Sequence, residues 1–471
     1  MTRLIYVLII VLLLSACASL SSPEQAQGIA ADAPPSAPTN WQARPAETPG
    51  PVKVGWIAAF EDPILSRLVS EAITNNRDLR AAAGAVEEAR ALARQAGAAI
   101  VPAIDVTGSA GRGGIVDFPS TDNYSLGLQF GWEVDVWGRV RATKRAAAFG
   151  AYSAEADFLF AQYSIAAAVA QSYFVAIEAG LQRNVANKSL KALEETAKIV
   201  SAQREIGVAT GLDVALARRD VANAKDAVLN AQVGQRLALR ALSALLGRYP
   251  DAKLDLPDAL PKPPAPPPTG TPSTLLERRP DIIAAERNVA AAFNSISAAK
   301  AARLPTISLV SSISGSSSEL SDVLDPENVA WQLAGNLLGP LFDGGLRKAA
   351  VDEATAVQTQ AINAYAQTVI AAFQEVENSL DQNQVLRARR DVLREAATEA
   401  ARAFEISQIQ YEEGAGTLLD VLTIQSTAFS ADSALVSVEQ ALLTEWINLN
   451  LALGGNWQHT RADTIGADGG T

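Results

Sequence analysis

An internal duplication constrains this chain of 471 residues more than any other feature. The segment Gly207-Val-Ala-Thr210-Gly-Leu-Asp213-Val214 reappears, 207 residues further on, as Gly414-Ala-Gly-Thr417-Leu-Leu-Asp420-Val421. The pair Leu246-Gly247 returns as Leu453-Gly454 at the same offset. Repetition over so long a period predicts that each half of the chain builds the same supersecondary unit.

Each half contains a long proline-free stretch that is rich in helix-forming residues. No proline lies between Pro119 and Pro250, and none follows Pro340. Because proline is the strongest helix breaker, these stretches predict helices at 139–207 and 347–414. At 1.5 Å per residue, each would be roughly 100 Å long. The same reasoning predicts shorter helices at 62–99, 213–246, 280–303 and 420–453.

Each half also contains one predicted β hairpin, at about 104–136 and 306–341. Residues 125–136 alternate between apolar and polar types, and the period of 2 indicates a strand with one apolar face. Two interpretations stay open: a small soluble β domain, or a membrane hairpin whose apolar side meets lipid. Four strands cannot close a barrel, and open edges are not tolerated in lipid, so the membrane interpretation requires oligomerisation. Glu133 and Asp135 would then face the pore lumen.

The N-terminus predicts export and lipidation. Residues 1–16 combine Arg3 with an apolar run from Leu4 to Leu14, which is typical of a signal peptide. The run ends in Leu14-Ser15-Ala16-Cys17, which resembles a bacterial lipobox, where Cys17 would become the lipidated first residue of the mature chain. A plain secretory signal with an incidental cysteine is the alternative. Residues 17–51 would form an extended tether.

Composition excludes several classes of function. The net charge of −12 argues against nucleic acid as a partner. The chain has one His, His459, and one Cys, Cys17, so we expect no zinc site and no disulfide within the chain. There is no phosphate-binding Gly-x-x-x-x-Gly-Lys loop. We therefore expect no enzyme activity, no metal and no cofactor beyond the covalent lipid on Cys17.

Several strings of residues resemble one family, the TolC-type outer-membrane factors. They are Trp56-Ile-Ala-Ala-Phe60-Glu-Asp62-Pro63, Asn76-Arg77-Asp78-Leu79, Leu275-Leu-Glu-Arg278-Arg279-Pro280-Asp281-Ile282 and Phe342-Asp343-Gly344-Gly345. The resemblance runs from about Asn40 to Gly455. The lipobox places the chain nearer the NodT-type lipoproteins of resistance-nodulation-division (RND) efflux systems than the unlipidated secretion type.

The resemblance implies a mainly α fold with a membrane β hairpin per repeat. In a homotrimer, four strands per subunit would close one 12-stranded barrel in the outer membrane, and the helices would continue as an α-barrel across the periplasm. A periplasmic adaptor and an inner-membrane RND pump would be the partners of this passive duct for small toxic compounds. The domains would be a first repeat at 52–254, a Pro-rich linker at 255–274, a second repeat at 275–455 and a tail at 456–471.

The two duplicated segments predict helix–turn–helix tips. Gly207 and Gly414 would end the long helices as C′ glycines. Either the threonines or the aspartates would cap the next helix, and the residues concerned are Thr210, Asp213, Thr417 and Asp420. These residues could be caps only, or the tips could also dock the adaptor.

The resemblance also places the periplasmic mouth of the duct near the second tip. Leu419 would form an apolar ring and Asp420 an acidic ring, in which three carboxylates would raise each other's pKa. Relatives commonly carry an aspartate three residues after Asp420, where this chain has Thr423. Glu412 and Glu413 are alternatives for shaping the mouth.

Two other functions remain open from the sequence. A type I protein-export channel would share the same architecture. A periplasmic adaptor lipoprotein would be expected to carry one helical hairpin flanked by lipoyl-like β segments, whereas this chain has two full repeats.

Overall fold

The structure is a computed structural model that describes residues 37–43, 55–117 and 119–456. Three sequence-based predictions concern residues outside these ranges: the signal peptide at 1–16, the lipidated Cys17, and the polar tail that holds His459. These three stay predictions.

Two compact units make up the described chain. One, here called the strand unit, consists of Gly84–Ala156 and Asp281–Ile370. The other, the helical unit, consists of Ala37–Ala83, Asp157–Pro280 and the chain from Ala371 onward. Each unit takes segments from both sequence repeats, so the repeats fold together and not as two separate domains.

Long helices dominate both repeats and have matching lengths. In chain order the main helices are α1 (Pro63–Asn75), α2 (Arg77–Ala98), α3 (Arg139–Glu205), α4 (Gly211–Leu245), α5 (Pro280–Ala301), α6 (Leu346–Glu412) and α7 (Leu418–Ala452). Helices α3 and α6 each have 67 residues, and α4 and α7 each have 35. The proline-free stretches therefore form the helices that the sequence predicts.

The predicted helix at 62–99 is instead divided in two at Asn76. This residue has an extended ψ of 133° between α1 and α2. Its Oδ1 accepts hydrogen bonds from the N–H groups of Asp78 at 2.9 Å and Leu79 at 3.1 Å. The prediction of one helix was wrong because the asparagine side chain replaces the helical hydrogen bonds of these N–H groups and starts a new helix.

The repeated Leu-Gly pairs end α4 and α7 in the same way. Gly247 has φ 72° and Gly454 has φ 69°, a left-handed conformation that favours glycine. Both positions are also crowded, Gly247 by the last residue of α1 and Gly454 by the residues that precede α5. A Cβ at Gly247 would lie 2.6 Å from the carbonyl oxygen of Asn75, and one at Gly454 would lie 3.2 Å from the Arg279 side chain. The duplication thus preserves two close backbone junctions.

The two hairpins form one antiparallel sheet in the strand unit. Its four strands are adjacent in chain order: β1 (Ala103–Gly113), β2 (Thr121–Val134), β3 (Thr306–Ser317) and β4 (Val329–Leu338). Strands β2 and β3 pair across the two repeats, with Leu128 opposite Ile313. Both predicted hairpins are confirmed, and β1 and β4 are the edge strands.

The sheet has one apolar face and one polar face. One row across the four strands is apolar, and it consists of Val106, Leu128, Ile313 and Trp331. The adjacent row is polar, and it consists of Asp105, Gln129, Ser312 and Gln332. Trp331 is 78% exposed and Val106 is 73% exposed, so the strand unit itself does not cover the apolar face. A contiguous apolar surface of this kind indicates contact with lipid or with another chain.

The helical unit holds an aromatic core against which the linker packs. Phe60 contacts both Phe174 and Trp446, with ring centroids 5.0 Å apart in each pair. Leu256 and Leu260 of the Pro-rich segment pack on this core. The Trp446 Nε1–H donates to the carbonyl oxygen of Ala265 at 2.9 Å. The segment at 255–271 has no helix or strand, as its prolines predict.

A short N-terminal segment is also held on the helical unit. Trp41 is buried and packs edge-on against Phe373 of α6, with ring centroids 6.1 Å apart. The Glu377 carboxylate accepts hydrogen bonds from the backbone N–H groups of Gln42 at 2.8 Å and Ala43 at 2.7 Å. Glu377 therefore fixes a stretch of backbone within the predicted tether at 17–51.

We predict that Gly127→Ala destabilises the sheet. A Cβ at Gly127 would lie 2.4 Å from the Ser314 Cβ and 2.8 Å from the Ile313 carbonyl oxygen on β3. Overpacking of this kind costs about 1–3 kcal/mol. Gly131→Ala is the matched control because Gly131 lies on the same strand and face with nothing within 4 Å. Heat or urea unfolding followed by gel mobility measures the effect, and equal midpoints for the two variants would contradict it.

Candidate functional site

Each long helix ends at the predicted glycine in a Schellman motif. At the first tip, the Gly207 N–H donates to the carbonyl of Arg204 at 3.1 Å, and the Val208 N–H donates to that of Gln203 at 2.9 Å. Gly207 has φ 80° and Gly414 has φ 76°. No atom lies within 4 Å of a Cβ built at either glycine, so the conformation and not space requires glycine here.

The second tip repeats this geometry. The Gly414 N–H donates to the carbonyl of Tyr411 at 3.1 Å, and the Ala415 N–H donates to that of Gln410 at 2.8 Å. The two turns are therefore equivalent in hydrogen bonding as well as in sequence.

The sequence left open whether the threonines or the aspartates cap the next helix, and in the structure both take part. The Asp213 N–H donates to the Thr210 hydroxyl at 3.2 Å, and the Thr210 N–H donates to Asp213 Oδ2 at 2.7 Å. Thr417 and Asp420 form the same reciprocal pair at the start of α7. This arrangement is a capping box with aspartate in place of the usual glutamate.

The capping boxes also set the charge of the tips. Hydrogen bonds from the Thr210 hydroxyl and backbone N–H lower the pKa of Asp213 below its ordinary value of 3.8. Thr417 lowers the pKa of Asp420 for the same reason. Within one protomer the pKa of Asp420 is therefore lowered, whereas three Asp420 carboxylates near a common axis are expected to raise it. Both tips therefore carry an ionised carboxylate at neutral pH.

The two tips pack against each other through a small apolar cluster. Val200 of α3 and Ala217 of α4 contact Leu418 and Leu422 of α7 in this cluster. The Tyr411 hydroxyl donates to Gln203 Oε1 at 2.6 Å. The structure thus brings the first and second tips together in one site.

The two residues predicted to line the mouth, Leu419 and Asp420, both lie on the exposed side of α7. Leu419 is 64% exposed, next to the buried Leu418. Asp420 is exposed and is held by its capping box. Thr423, at the position where relatives commonly have aspartate, is exposed and donates its hydroxyl to the Leu419 carbonyl at 2.8 Å. An exposed apolar side chain and an exposed carboxylate therefore lie side by side.

The two acidic residues predicted for the pore lumen have different surroundings. Glu133 lies on the polar face of β2, and the Arg139 Nε–H donates to its Oε1 at 3.0 Å. Asp135 lies one residue beyond the end of β2 at Val134; that Glu133 and Asp135 face a pore lumen stays a prediction. The Asp135 carboxylate accepts from the Val140 and Arg141 N–H groups at the start of α3, at 3.1 and 2.9 Å.

Sequence reasoning missed one residue of this region, Gln425. It follows Leu418, Val421 and Leu422 at helical spacing on the buried side of α7, where an apolar residue is expected. The spacing alone could have identified it as a polar residue in an apolar stripe.

The residues of the described chain provide no metal site. No group of three or more His, Cys, Asp or Glu side chains in residues 37–43, 55–117 and 119–456 could hold a metal ion. The tips themselves consist of turns, capped helix starts and exposed side chains.

Comparison with known proteins gives consistent likenesses over nearly the whole chain. Residues 68–248 and 271–455 each match the family model described as outer membrane efflux protein. The pyoverdine export outer membrane protein OpmQ of Pseudomonas aeruginosa is 32% identical over 466 residues, which cover 96% of each chain. The cation efflux system protein CusC of Escherichia coli is 32% identical over 409 residues, which cover 86% of this chain and 88% of CusC.

Solved structures of channels share the fold. The outer-membrane channel OprN superimposes with a TM-score of 0.83 at 28% identity, covering 90% of this chain and 98% of OprN. The open-state MtrE outer membrane channel of Neisseria gonorrhoeae superimposes with a TM-score of 0.79 at 29% identity, covering 89% of this chain and 96% of MtrE.

We predict that Thr417→Ala and Thr210→Ala each loosen their tip, because loss of an N-cap costs about 1 kcal/mol. Amide exchange at the starts of α4 and α7 should become faster. Thr427→Ala is the control, since Thr427 is an exposed residue within α7. Equal exchange in all three variants would contradict the capping role.

The same exchange measurement tests the pH dependence of the tips. Because the folded-state pKa of Asp213 and Asp420 is lowered below the ordinary value of 3.8, capping should be complete above pH 3.8 and should be lost as the pH falls through the lower folded-state pKa. Exchange that does not change over this pH range would contradict the lowered pKa.

Proposed function

The chain belongs to the outer membrane efflux protein family, and we propose that it is the passive exit duct of a tripartite efflux system of the RND type. It is an outer-membrane channel component that spans the periplasm, like its relatives. The family consists of channels, so the chain's role is conduction.

The observation that carries this proposal is the amphipathic sheet with two open edges. In lipid, an unpaired backbone N–H or carbonyl group costs several kcal/mol, so β1 and β4 need partners. Two further copies of the chain would pair β1 of one protomer with β4 of the next and close a 12-stranded barrel. The apolar row with Val106 and Trp331 would then face lipid, and the polar row with Gln129 would face water.

The duct would open into the periplasm at the helix tips. Leu419 and Asp420 of three protomers would line this mouth, and the six tips at Gly207 and Gly414 would dock a periplasmic adaptor. The exposure of Leu419 and the ionised state of Asp420 support this assignment. Unchanged single-channel conductance in both Leu419→Ala and Asp420→Ala would count against it.

The cargo would be chosen by the inner-membrane pump and not by the duct. The names of the two relatives refer to cargoes as different as pyoverdine and cations. The polar face of the sheet carries mostly small hydroxyl and amide side chains, which fit a water-filled lumen without a selective site. We propose small toxic compounds as the cargo class, and a lipid on Cys17 as an additional anchor to the outer membrane.

A strain that lacks this gene tests the proposal. We expect hypersensitivity to small amphipathic compounds, normal protein secretion, and full rescue by the wild-type gene. The matched control is complementation with Gly131→Ala, which should also rescue. Loss of a secreted protein with unchanged resistance would instead identify a type I protein-export channel.

A further inference from the structure

One buried polar side chain near the mouth has no hydrogen-bond partner. Gln425 of α7 is 1% exposed, and neither its Nε2 nor its Oε1 has a partner. A buried donor or acceptor left without a partner costs about 1–3 kcal/mol. Gln425 therefore destabilises the packing of α7 in the arrangement that the structure shows.

Gln425 interrupts the stripe that attaches the start of α7 to the rest of the helical unit. Leu418, Val421, Leu422, Gln425 and Ala428 are all buried on this side of the helix. Leu418 and Leu422 belong to the apolar cluster with Val200 of α3, whereas Gln425 comes after this cluster ends. The attachment is thus apolar for the first two turns of α7 and weakens at Gln425.

An open groove beside Gln425 offers both space and hydrogen-bonding partners. The groove has a volume of about 970 Å³ and lies between α3, α4 and α7. Its lining includes Gln425 together with the polar residues Ser189, Asn223 and Ser430. A small shift of α7 relative to α3 and α4 could bring the amide to these side chains or to water in the groove.

We infer that Gln425 is a positioning residue of the channel mouth. The unpartnered amide lowers the cost of releasing the start of α7 from α3 and α4. Leu419 and Asp420 lie on the same two turns of α7, so release of these turns moves the mouth side chains. The inference rests on the proposed function only for this last step, because release of α7 can be measured in any functional state.

The test is hydrogen exchange on the full-length protein in lipid nanodiscs, with Gln425→Met. Methionine keeps the length of the side chain and removes both unpartnered polar atoms. We expect amide exchange at 418–428 to slow by roughly 5- to 150-fold, the factor that corresponds to an unpaired buried group. Single-channel recordings of the same variant should show correspondingly fewer transitions between conductance levels.

Gln440→Met is the matched control, because it makes the same substitution on the same helix. The Gln440 Nε2–H donates to the Thr444 hydroxyl at 2.7 Å, so this amide has a partner and its loss should not slow exchange. Gln425→Leu is a second apolar variant and should act like Gln425→Met.

Three results would overturn the inference: exchange at 418–428 that is unchanged or faster in both Gln425 variants, equal slowing in Gln440→Met, or slower exchange with unchanged channel transitions. Failure of both Gln425 variants to fold would also contradict it, since they are expected to stabilise α7. Absence of conductance in the wild-type protein would overturn the proposed function, while the exchange result would still report on α7.

Discussion

Backbone hydrogen bonding in lipid is the constraint on which the rest of the structure depends. A bilayer offers no water to an unpaired N–H or carbonyl group, so a sheet within it must close on itself. One protomer contributes four strands and leaves β1 and β4 with open edges. Three copies supply enough strands for closure, and the chain's duplication supplies the two hairpins that each copy needs. In the closed barrel, the apolar row of the sheet would face the hydrocarbon of the bilayer.

The helical part of the chain is under a different constraint: long helices must end and begin again without leaving backbone N–H or carbonyl groups unpaired. Each helix end has four N–H or carbonyl groups without partners within the helix. At the helix C-termini, N–H groups of glycines with positive φ donate to carbonyl groups of the last helical turn, and these glycines are Gly207, Gly247, Gly414 and Gly454. Thr210 with Asp213, and Thr417 with Asp420, satisfy the N–H groups that follow. These are the residues that the duplication preserves, so their repetition has a physical cause independent of any docking role.

Much of this fold could be predicted from the sequence because its signals are local. The absence of proline predicted α3 and α6, the period of 2 predicted the hairpins, and the repeated glycines predicted the tips. Features that depend on distant residues could not be predicted in this way. Asn76 divides a helix at a point where its Nδ2–H also donates to the carbonyl oxygen of Leu245 at 2.9 Å, 169 positions away in the chain. Element boundaries are a second limit, because the contacts of Asp135 depend on where β2 ends and α3 begins.

The candidate site shows the same division. Capping by Thr417 and Asp420 follows from their spacing, whereas the packing of Leu418 against Val200 joins the two repeats and is visible only in three dimensions. Gln425 shows this limit well. Its position in an apolar stripe can be seen in the sequence, but its lack of a partner depends on the side chains that α3 and α4 place around it.

Disulfide formation between strands of two protomers is the measurement to make first, because β1 of one protomer is proposed to pair with β4 of the next. Cysteines would be placed at Thr107 of β1 and Ala334 of β4, with neighbouring β4 positions scanned to find the register. Within one chain, β2 and β3 separate these strands by roughly 14 Å, too far for a disulfide, so any bond must join two copies. If the strands pair in this way, covalent dimers and trimers will appear on a non-reducing gel. Monomers alone at every β4 position would contradict it.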